Sequence, residues 1–206
     1  MSQTVFARKG SRGTLGPTVI GLAVVTAAIV GAVGYQSASS AHSLGEALRG
    51  DHDGTARVAD GALPDGVTVF DDAYPGVAKL DPELLHALRD AATDAADGGI
   101  EFHVNSGWRS PEYQNQLLRA AVSKYGSSAA AARWVATADT SAHVSGDAVD
   151  IGSFDATAWL SEHGAKYGLC QIYGNEPWHY ELRPQAIDRG CPAMYADPTH
   201  DPRMQQ

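Results

Sequence analysis

Residues 141–151 read S-A-H-V-S-G-D-A-V-D-I, and they place the imidazole of His143 and the carboxylate of Asp150 seven positions apart. Gly146 and the valines on either side of it disfavour a continuous helix through this stretch. We therefore expect a loop that enters a strand, with a bend at Gly146 that brings Asp150 back towards His143. Asp150 stands between two apolar residues, where a carboxylate is costly unless a counter-charge or a metal pairs with it.

A second polar group follows about 25 residues later, in the segment E-P-W-H at residues 176–179. Pro177 keeps Glu176 out of a helix, and in an extended chain Glu176 and His179 point to opposite sides. We expect a turn to bring Glu176 round, so that His179 binds a metal and Glu176 acts as a base. Two histidines, one aspartate and one glutamate are the residues of a catalytic zinc site. From the residues alone, a buried salt bridge of the aspartate and a hydrogen-bonding role of the first histidine stay open as alternatives.

The N-terminal part of the chain has the pattern of a membrane anchor. Residues 1–16 form a short basic segment, and residues 17–35 contain no charge over nineteen positions, a length that just spans a bilayer as a helix. We predict a transmembrane signal anchor over residues 17–35, with the N-terminus in the cytoplasm and the rest of the chain outside. A cleaved signal peptide, with secretion of the rest, stays open as the alternative. Residues 36–65, rich in Ser, Ala, Gly and Asp, predict a flexible tether.

The folded domain is predicted over residues 66–190, followed by an irregular C-terminal tail over residues 191–206. Asp81 and Ser110 each precede a proline and an apolar helical repeat, which predicts two capped helices. Alternating apolar residues predict half-buried strands. The other expected elements are strands at residues 67–70, 100–105, 169–173 and 178–182, and helices at residues 128–138 and 155–166.

Charge is unevenly distributed along the chain. The formal net charge is −9, and residues 1–50 carry +3, so that residues 51–206 carry −12. Nucleic-acid binding requires clustered Lys and Arg that neutralise phosphates. An acidic body with no basic stripe therefore argues against a nucleic-acid partner, and its acidity alone indicates no other partner.

Three motifs occur in an order that resembles one enzyme family. They are S-G-W-R-S-x-x-Y-Q at residues 106–114, S-x-H-x-x-G-x-A-x-D at residues 141–150 and E-P-W-H at residues 176–179. Together they resemble the VanY-type D-alanyl-D-alanine carboxypeptidases, which are zinc peptidases of the bacterial cell wall. The second motif alone is shared with related amidases, endolysin peptidases and VanX-type dipeptidases. The resemblance runs from about residue 67 to about residue 182.

The resemblance assigns the residues of a metal centre. It implies that His143, Asp150 and His179 are the ligands of a Zn²⁺ cofactor, and that Glu176 is the general base. In that role Glu176 would deprotonate the attacking water and pass the proton to the leaving amine. We expect the three ligand atoms to converge within about 2.0–2.2 Å of one point, with Glu176 beyond bonding distance of it.

The resemblance also assigns residues that contact the substrate. Arg109 matches the family arginine that stabilises the developing oxyanion or engages the terminal carboxylate, and a guanidinium suits either role. Gln114 and Ser141 match positions that hydrogen-bond the D-Ala end of the substrate. Without the resemblance, the interpretations would be a solvated loop residue for Arg109, a surface helix residue for Gln114 and a turn residue for Ser141.

Cys170 and Cys191 are the only cysteines of the chain. Under the predicted topology they lie in an oxidising compartment, where two cysteines commonly form a disulfide. The bridge would enclose the hairpin that carries Glu176 and His179, and it would contribute on the order of 3 kcal/mol of stability. Two free thiols are the alternative, and neither cysteine lies in a nucleophile motif.

The sequence therefore predicts a monomeric, extracytoplasmic zinc D,D-carboxypeptidase that removes the terminal D-Ala from peptidoglycan stem pentapeptides. Such trimming would confer glycopeptide resistance or serve ordinary wall maturation, and the sequence does not separate the two roles. A D-Ala-D-Ala dipeptidase, an L,D-carboxypeptidase and an endopeptidase are the nearest alternatives, and a non-catalytic wall-binding module is a more distant one. The predicted fold is α+β, with a small antiparallel sheet, helices packed on one side and the zinc cleft on the open face.

Overall fold

A four-stranded antiparallel sheet organises residues 58–205, which are the residues that this computed structural model describes. The spatial order of the strands is β1-β2-β4-β3, so that β2 and β4 lie at the centre. The sheet and its helices confirm the predicted α+β fold with a small antiparallel sheet. The strands are β1 (His103–Ser106), β2 (Ala148–Gly152), β3 (Leu169–Gln171) and β4 (His179–Leu182).

Seven α-helices and several 3₁₀ turns surround the sheet within the described range. Asp81 and Ser110 cap the two longest helices as predicted, because their side chains accept hydrogen bonds from backbone N–H groups of the first turn. The helices are α1 (Pro75–Ala78), α2 (Pro82–Ala96), α3 (Pro111–Tyr125), α4 (Ser128–Ala131), α5 (Ala142–Ser145), α6 (Phe154–His163) and α7 (Ala186–Arg189).

Alternation along the central strands separates a core face from a polar face. Val149 and Ile151 of β2 and Tyr180 of β4 are buried in the main hydrophobic cluster, together with apolar residues of α2 and α6. Because successive strand residues point to opposite sides, Asp150 and His179 face away from this cluster. The core therefore fixes β2 and β4 and presents the polar residues between them on the other face.

The helices do not all pack on one side of the sheet, which differs from the prediction. Helices α2 and α6 join the main core, whereas α3, α4 and the residues after them form a separate cluster around Leu117 and Val135. Helix α5 and the loop before α3 instead contribute His143 and Arg109 to the polar face. Helix α5 and this loop therefore lie on the side of the sheet that was expected to be open.

Two predicted elements differ most in extent from the observed ones. Residues 67–70 make only one isolated bridge, from Thr68 to His103, because the Asp71 carboxylate accepts from both the N–H and the hydroxyl of Thr68 and turns the chain. The alanine-rich helix ends at Ala131 rather than near residue 138. After it the chain turns, and Gln114 Nε2 donates a hydrogen bond of 2.9 Å to the carbonyl of Ala136.

The predicted anchor at residues 17–35 and most of the predicted tether lie outside the described residues. Within residues 58–205, the structure has no helix with the length and apolar character needed to cross a membrane. The end of the predicted tether packs on the domain, since Ser110 N donates to the carbonyl of Asp60 at 2.8 Å. The C-terminal segment, expected to be irregular, contains two 3₁₀ turns, Pro198–His200 and Pro202–Gln205.

Candidate metal centre

Three buried side chains meet between β2, β4 and α5. Asp150 pairs with His179 in the register of β2 and β4, and the single turn of α5 brings His143 alongside. Asp150 Oδ1 lies 3.4 Å from His143 Nε2 and 3.4 Å from His179 Nδ1, and one ligand atom from each residue lies within 4.8 Å of the others. The structure thus brings together the three residues that the resemblance implied as metal ligands.

In each histidine, one ring nitrogen contacts a protein group and the other faces Asp150. His143 Nδ1 lies 2.9 Å from the carbonyl oxygen of Gly107, and His179 Nε2 lies 3.2 Å from Glu181 Oε1. Histidines that bind metals commonly donate the second ring N–H to a carbonyl or a carboxylate in this way, which fixes the tautomer and the ring orientation. Both rings are therefore held with one nitrogen directed at a common point.

Several polar atoms around this point lack a hydrogen bond from the protein. Asp150 Oδ1, His179 Nδ1 and Glu176 Oε1 are buried and have no hydrogen-bond partner, a situation that costs about 1–3 kcal/mol for each atom. A cation bound by the aspartate and the two histidines would satisfy two of these atoms. Two imidazole nitrogens and one carboxylate oxygen match the ligand set of Zn²⁺ in sites that keep a fourth position open.

Arg109 holds the second oxygen of Asp150. Arg109 Nη2 lies 2.9 Å from Asp150 Oδ2, Nε donates to Ser106 Oγ at 2.7 Å, and Nη1 donates to Gln114 Oε1 at 3.1 Å. Burial works against the charge of Asp150, but His143, His179 and Arg109 outweigh it and hold the pKa of Asp150 well below its usual range. Asp150 is therefore an anion with one oxygen paired to a guanidinium and the other left for a cation.

Glu176 enters the site from the turn before β4. Hydrogen bonds from Glu176 N to Tyr173 O and from His179 N to Glu176 O form the turn that the sequence required. Glu176 Oε2 lies 3.7 Å from His179 Nδ1, and the residue is 6% exposed. Burial raises the pKa of Glu176 to about 8, and the charge of Asp150 acts in the same direction.

His179 contacts three carboxylates, those of Asp150 and Glu176 at Nδ1 and that of Glu181 at Nε2. Burial lowers the pKa of His179, but Asp150, Glu181 and Glu176 outweigh burial and raise it to about 10.

The remaining predicted residues lie at the edge of the centre. Gln114 is 1% exposed, and both ends of its amide are engaged, Oε1 by Arg109 and Nε2 by the Ala136 carbonyl. Ser141 is 6% exposed and precedes α5, and its hydroxyl does not cap that helix. Both residues lie next to groups of the centre, and neither side chain is recorded in contact with a ligand atom.

Sequence reasoning missed the residues behind His179. Glu181 is fully buried, and its carboxylate contacts His179, Arg183 and Arg203. A signal for Glu181 was present, because the predicted strand at residues 178–182 puts positions 179 and 181 on one face. No local pattern indicated Arg203, which lies 22 residues further along the chain.

Cys170 and Cys191 form a disulfide across the base of this region. Cys170 stands opposite Glu181 in the β3–β4 pair. The bridge therefore ties the start of the C-terminal segment to the strand beside β4.

Known proteins are similar to the part of the chain that contains this site. The family model of VanY, described as a D-alanyl-D-alanine carboxypeptidase, matches residues 77–185. A D-alanyl-D-alanine carboxypeptidase of Enterococcus faecalis is 30% identical over 127 residues, which are 50% of this chain and 47% of that protein. The chain thus spans about half the length of that curated relative.

Solved structures are similar as well. A mutant of the vancomycin-resistance D,D-pentapeptidase VanY from a VanB-type cassette, in complex with Zn(II), is 30% identical with a TM-score of 0.47, over 50% of this chain and 72% of that chain. The L,D-carboxypeptidase LdcB is 25% identical with a TM-score of 0.50, over 62% of this chain and 71% of that chain.

The matched region contains the metal centre described above. It includes His143, Asp150, Glu176 and His179 as well as Arg109, whereas the C-terminal segment lies beyond it. The match extends over more than half of the 206 residues. On this evidence the chain belongs to the VanY family of D-alanyl-D-alanine carboxypeptidases.

Proposed function

We propose that this chain is a zinc-dependent D,D-carboxypeptidase that hydrolyses the bond between the two terminal D-Ala residues of peptidoglycan stem pentapeptides. The observation that carries the proposal is the buried convergence of His143 Nε2, Asp150 Oδ1 and His179 Nδ1 beside the unpartnered carboxylate oxygen of Glu176. Membership of the family supports the choice of bond and substrate.

Zn²⁺ is the cofactor that this ligand set favours. His143, Asp150 and His179 would hold it, and three protein ligands leave one position of a tetrahedron for the reaction. Zinc bound there would polarise the scissile carbonyl and lower the pKa of a water to near neutrality.

Glu176 would move the protons of the reaction. Its Oε1 is buried and has no protein partner, so that it can accept a proton from the attacking water. The protonated carboxyl can then donate to the amine of the departing D-Ala, which cannot leave as an anion. The turn at residues 173–176 holds this carboxylate beside the ligands without making it one of them.

Arg109 has the donors to bind the substrate and Asp150 together. A guanidinium carries five N–H donors, and contacts with Ser106, Gln114 and Asp150 use three of them. Two donors stay available for the developing oxyanion or the terminal carboxylate of the peptide. We assign Arg109 the contact with the substrate because it touches Asp150 and keeps these two donors.

Gln114 and Ser141 complete the proposed D-Ala subsite. The Gln114 amide carries two N–H donors, and one of them is engaged by the Ala136 carbonyl. The Ser141 hydroxyl is not used to cap α5. The second N–H of Gln114 and the hydroxyl of Ser141 would contact the D-Ala end of the substrate.

An L,D-carboxypeptidase is the second candidate. It is favoured by the similarity to LdcB, at 25% identity and a TM-score of 0.50. Such an enzyme would cleave the D-Ala that follows the L-centre of a stem tetrapeptide, with the same proton transfers at Glu176. The two activities differ in the configuration of the residue before the scissile bond.

Substrate profiling of the purified full chain separates these functions. The substrates are a stem pentapeptide, a stem tetrapeptide, free D-Ala-D-Ala and cross-linked muropeptides, each assayed for released D-Ala. We expect release from the pentapeptide, loss of release with a chelator and recovery with zinc. Glu176→Gln should lower the rate by about 10²–10⁴-fold while zinc still binds, and the exposed control Glu162→Gln should match wild type.

The outcomes assign the function directly. Release from the tetrapeptide alone would assign L,D-carboxypeptidase activity, and cleavage of the dipeptide alone would assign dipeptidase activity. Zinc binding without any D-Ala release would contradict a carboxypeptidase. Opening of the cross-linked muropeptides would then assign endopeptidase activity, and no cleavage of any substrate would favour a wall-binding module. Full activity of His143→Ala would contradict the proposed ligand set.

We also propose that the domain works outside the cytoplasm as a monomer. The disulfide between Cys170 and Cys191 supports an oxidising compartment, and the uncharged residues 17–35 would supply the membrane anchor. Trimming of D-Ala-D-Ala ends there would remove the target of glycopeptide antibiotics. Protease accessibility in intact cells tests the location, and deletion of the gene followed by antibiotic titration tests the resistance role.

A further inference from the structure

The residues behind His179 form a chain of contacts that ends in the C-terminal segment. Glu181 lies two positions after His179 on the same face of β4, and its Oε1 is 3.2 Å from His179 Nε2. Glu181 is 0% exposed, so that its orientation is set entirely by protein groups.

Arg203 holds Glu181 at both oxygens. Its Nη1 lies 2.7 Å from Glu181 Oε2 and its Nη2 lies 3.1 Å from Glu181 Oε1. Two parallel N–H···O contacts between a guanidinium and a carboxylate fix the plane of the carboxylate as well as its position. Arg183 contacts only Oε2 of the same carboxylate, so that it does not duplicate the two-point contact.

Arg203 is itself held in place by a buried carboxylate. Asp201, 0% exposed, accepts from Arg203 Nε, and Asp201 Oδ2 also accepts from the Tyr173 hydroxyl at 3.0 Å. The ring of Tyr173 packs against the ring of His179, with 5.0 Å between the centroids. The C-terminal segment therefore reaches His179 twice, at Nε2 through Glu181 and at the ring face through Tyr173.

We propose that Arg203 is a positioning residue of the metal centre. By holding both oxygens of Glu181, it fixes the N–H side of His179 and so aims His179 Nδ1 at Asp150. Arg203 lies beyond the residues that the family model matches, so that this support comes from a segment outside the matched region. The inference rests on the proposed function only in taking His179 as a zinc ligand.

Zinc affinity of the full chain tests the proposal. Residues that orient a metal-bound histidine commonly change the affinity for the metal by about 10–100-fold when they are replaced. We expect Arg203→Gln to weaken zinc binding by about tenfold, measured by competition with a chromophoric chelator. The visible absorption of the Co²⁺-substituted protein should also shift in position, which loss of stability alone would not cause.

Arg133→Gln is the matched control. Arg133 pairs with buried Asp197 of the same C-terminal segment at 2.8 Å, and the structure records no contact between Arg133 and Glu181. Both variants thus remove an arginine from a buried carboxylate of this segment. Arg133→Gln should lower the melting temperature while its zinc affinity stays within about twofold of wild type.

A double-mutant cycle isolates the route through Glu181. Glu181→Gln should weaken zinc binding by about 10–100-fold, and adding Arg203→Gln to it should change the affinity little further. If Arg203→Gln does not fold, Arg203→Lys decides the matter, because an ammonium retains the charge but cannot contact both oxygens in the same plane.

Unchanged zinc affinity in folded Arg203→Gln, or in Arg203→Lys where the Gln variant does not fold, would overturn the positioning role. An equal loss in Arg133→Gln would do the same, because it would assign the effect to stability of the segment. The failure of the proposed function is distinguishable, since in that case the wild-type chain would bind no zinc or would release no D-Ala.

Discussion

Arg109 and Asp150 form a buried ion pair that assigns the two oxygens of the aspartate to different partners. Arg109 Nη2 lies 2.9 Å from Oδ2, while Oδ1 faces the two histidines and has no hydrogen-bond partner. A carboxylate held at one oxygen can present the other in a fixed direction. The ion pair thereby leaves Oδ1 of Asp150 directed at His143 and His179, where the proposed metal would bind.

Arg109→Lys should damage both the site and the fold. A lysine ammonium cannot contact Ser106, Gln114 and Asp150 at once, so that Oδ2 of Asp150 loses its planar partner. We expect the free energy of unfolding to fall by about 1–3 kcal/mol and D-Ala release to fall by about 10²-fold or more. Urea unfolding and a D-Ala release assay measure the two effects.

Arg119→Lys, on the exposed side of helix α3 that follows the Arg109 loop, is the control and should change neither quantity. Wild-type activity of Arg109→Lys would show that the arrangement of three contacts is not required. A loss of stability without a loss of activity would restrict Arg109 to a structural role.

Much of the site could be predicted because its signals are local. The apolar neighbours of Asp150 mark a buried strand, the proline after Glu176 marks a turn, and the serine before α3 marks a helix start. Each of these features depends on a few adjacent residues and on backbone preferences. The motif order then supplied the roles, and the structure brings His143, Asp150 and His179 together at one point.

The support behind the site could not be predicted because its contacts are distant in sequence. Arg203 meets Glu181 across 22 residues and Arg109 meets Asp150 across 41 residues. Such pairs depend on how β2, β4 and the C-terminal segment pack, and no periodic pattern in the sequence indicates that packing. The sequence after Gly190 has no periodic pattern for the same reason. This segment is held by side-chain contacts and a disulfide rather than by a long helix or strand.

Reduction of the disulfide should weaken the fold. Cys170 and Cys191 close a loop with a sequence separation of 21, and a crosslink of this length contributes on the order of 3 kcal/mol by restricting the unfolded chain. We expect the urea midpoint to fall when a reductant is added. The double variant Cys170→Ala/Cys191→Ala should have a lower midpoint and no response to the reductant.

The same experiment bears on the C-terminal segment. Because the bridge anchors the start of that segment, reduction should also lower zinc affinity if Arg203 positions His179. An unchanged urea midpoint under conditions where free thiols are detected by alkylation would contradict the stabilising role of the bridge.

Asp197 should make the stability of the fold depend on pH. It is 1% exposed and accepts hydrogen bonds from Thr199 N at 3.0 Å and from Arg133 Nε at 2.8 Å. Burial raises its pKa, but contacts with Thr199, His200 and Arg133 outweigh burial and hold the pKa of Asp197 well below its usual range. Asp197 therefore contributes stability above the pKa of an unfolded aspartate, near about 3.9, and this contribution is lost as the pH falls towards the lower pKa of the folded state.

Asp197→Asn removes this dependence. We expect the variant to be less stable than wild type at neutral pH by about 1–3 kcal/mol, and the difference to shrink as the pH is lowered from about 5 to about 2. Urea unfolding at each pH measures the difference, and the exposed control Asp188→Asn should follow wild type. A constant difference over this range would contradict the assignment.

Gly107 joins the geometry of the fold to the orientation of His143. A Cβ added at Gly107 would lie 2.0 Å from the carbonyl oxygen of Gly76, and the Gly107 carbonyl itself lies 2.9 Å from His143 Nδ1. The chain approaches so closely at this point that no side chain fits. A shift of residue 107 that relieves the clash would also move the carbonyl that contacts His143.

Gly107→Ala should therefore lower stability and zinc affinity together. We expect a loss of about 1–3 kcal/mol from overpacking and a weakening of zinc binding by about tenfold from the displaced hydrogen bond. Chelator competition and urea unfolding measure the two effects, with Gly98→Ala as the control, because a Cβ there would lie 3.4 Å from its nearest neighbour. Native zinc affinity in a destabilised Gly107→Ala protein would show that His143 keeps its orientation without this carbonyl, and the close approach would then serve packing alone.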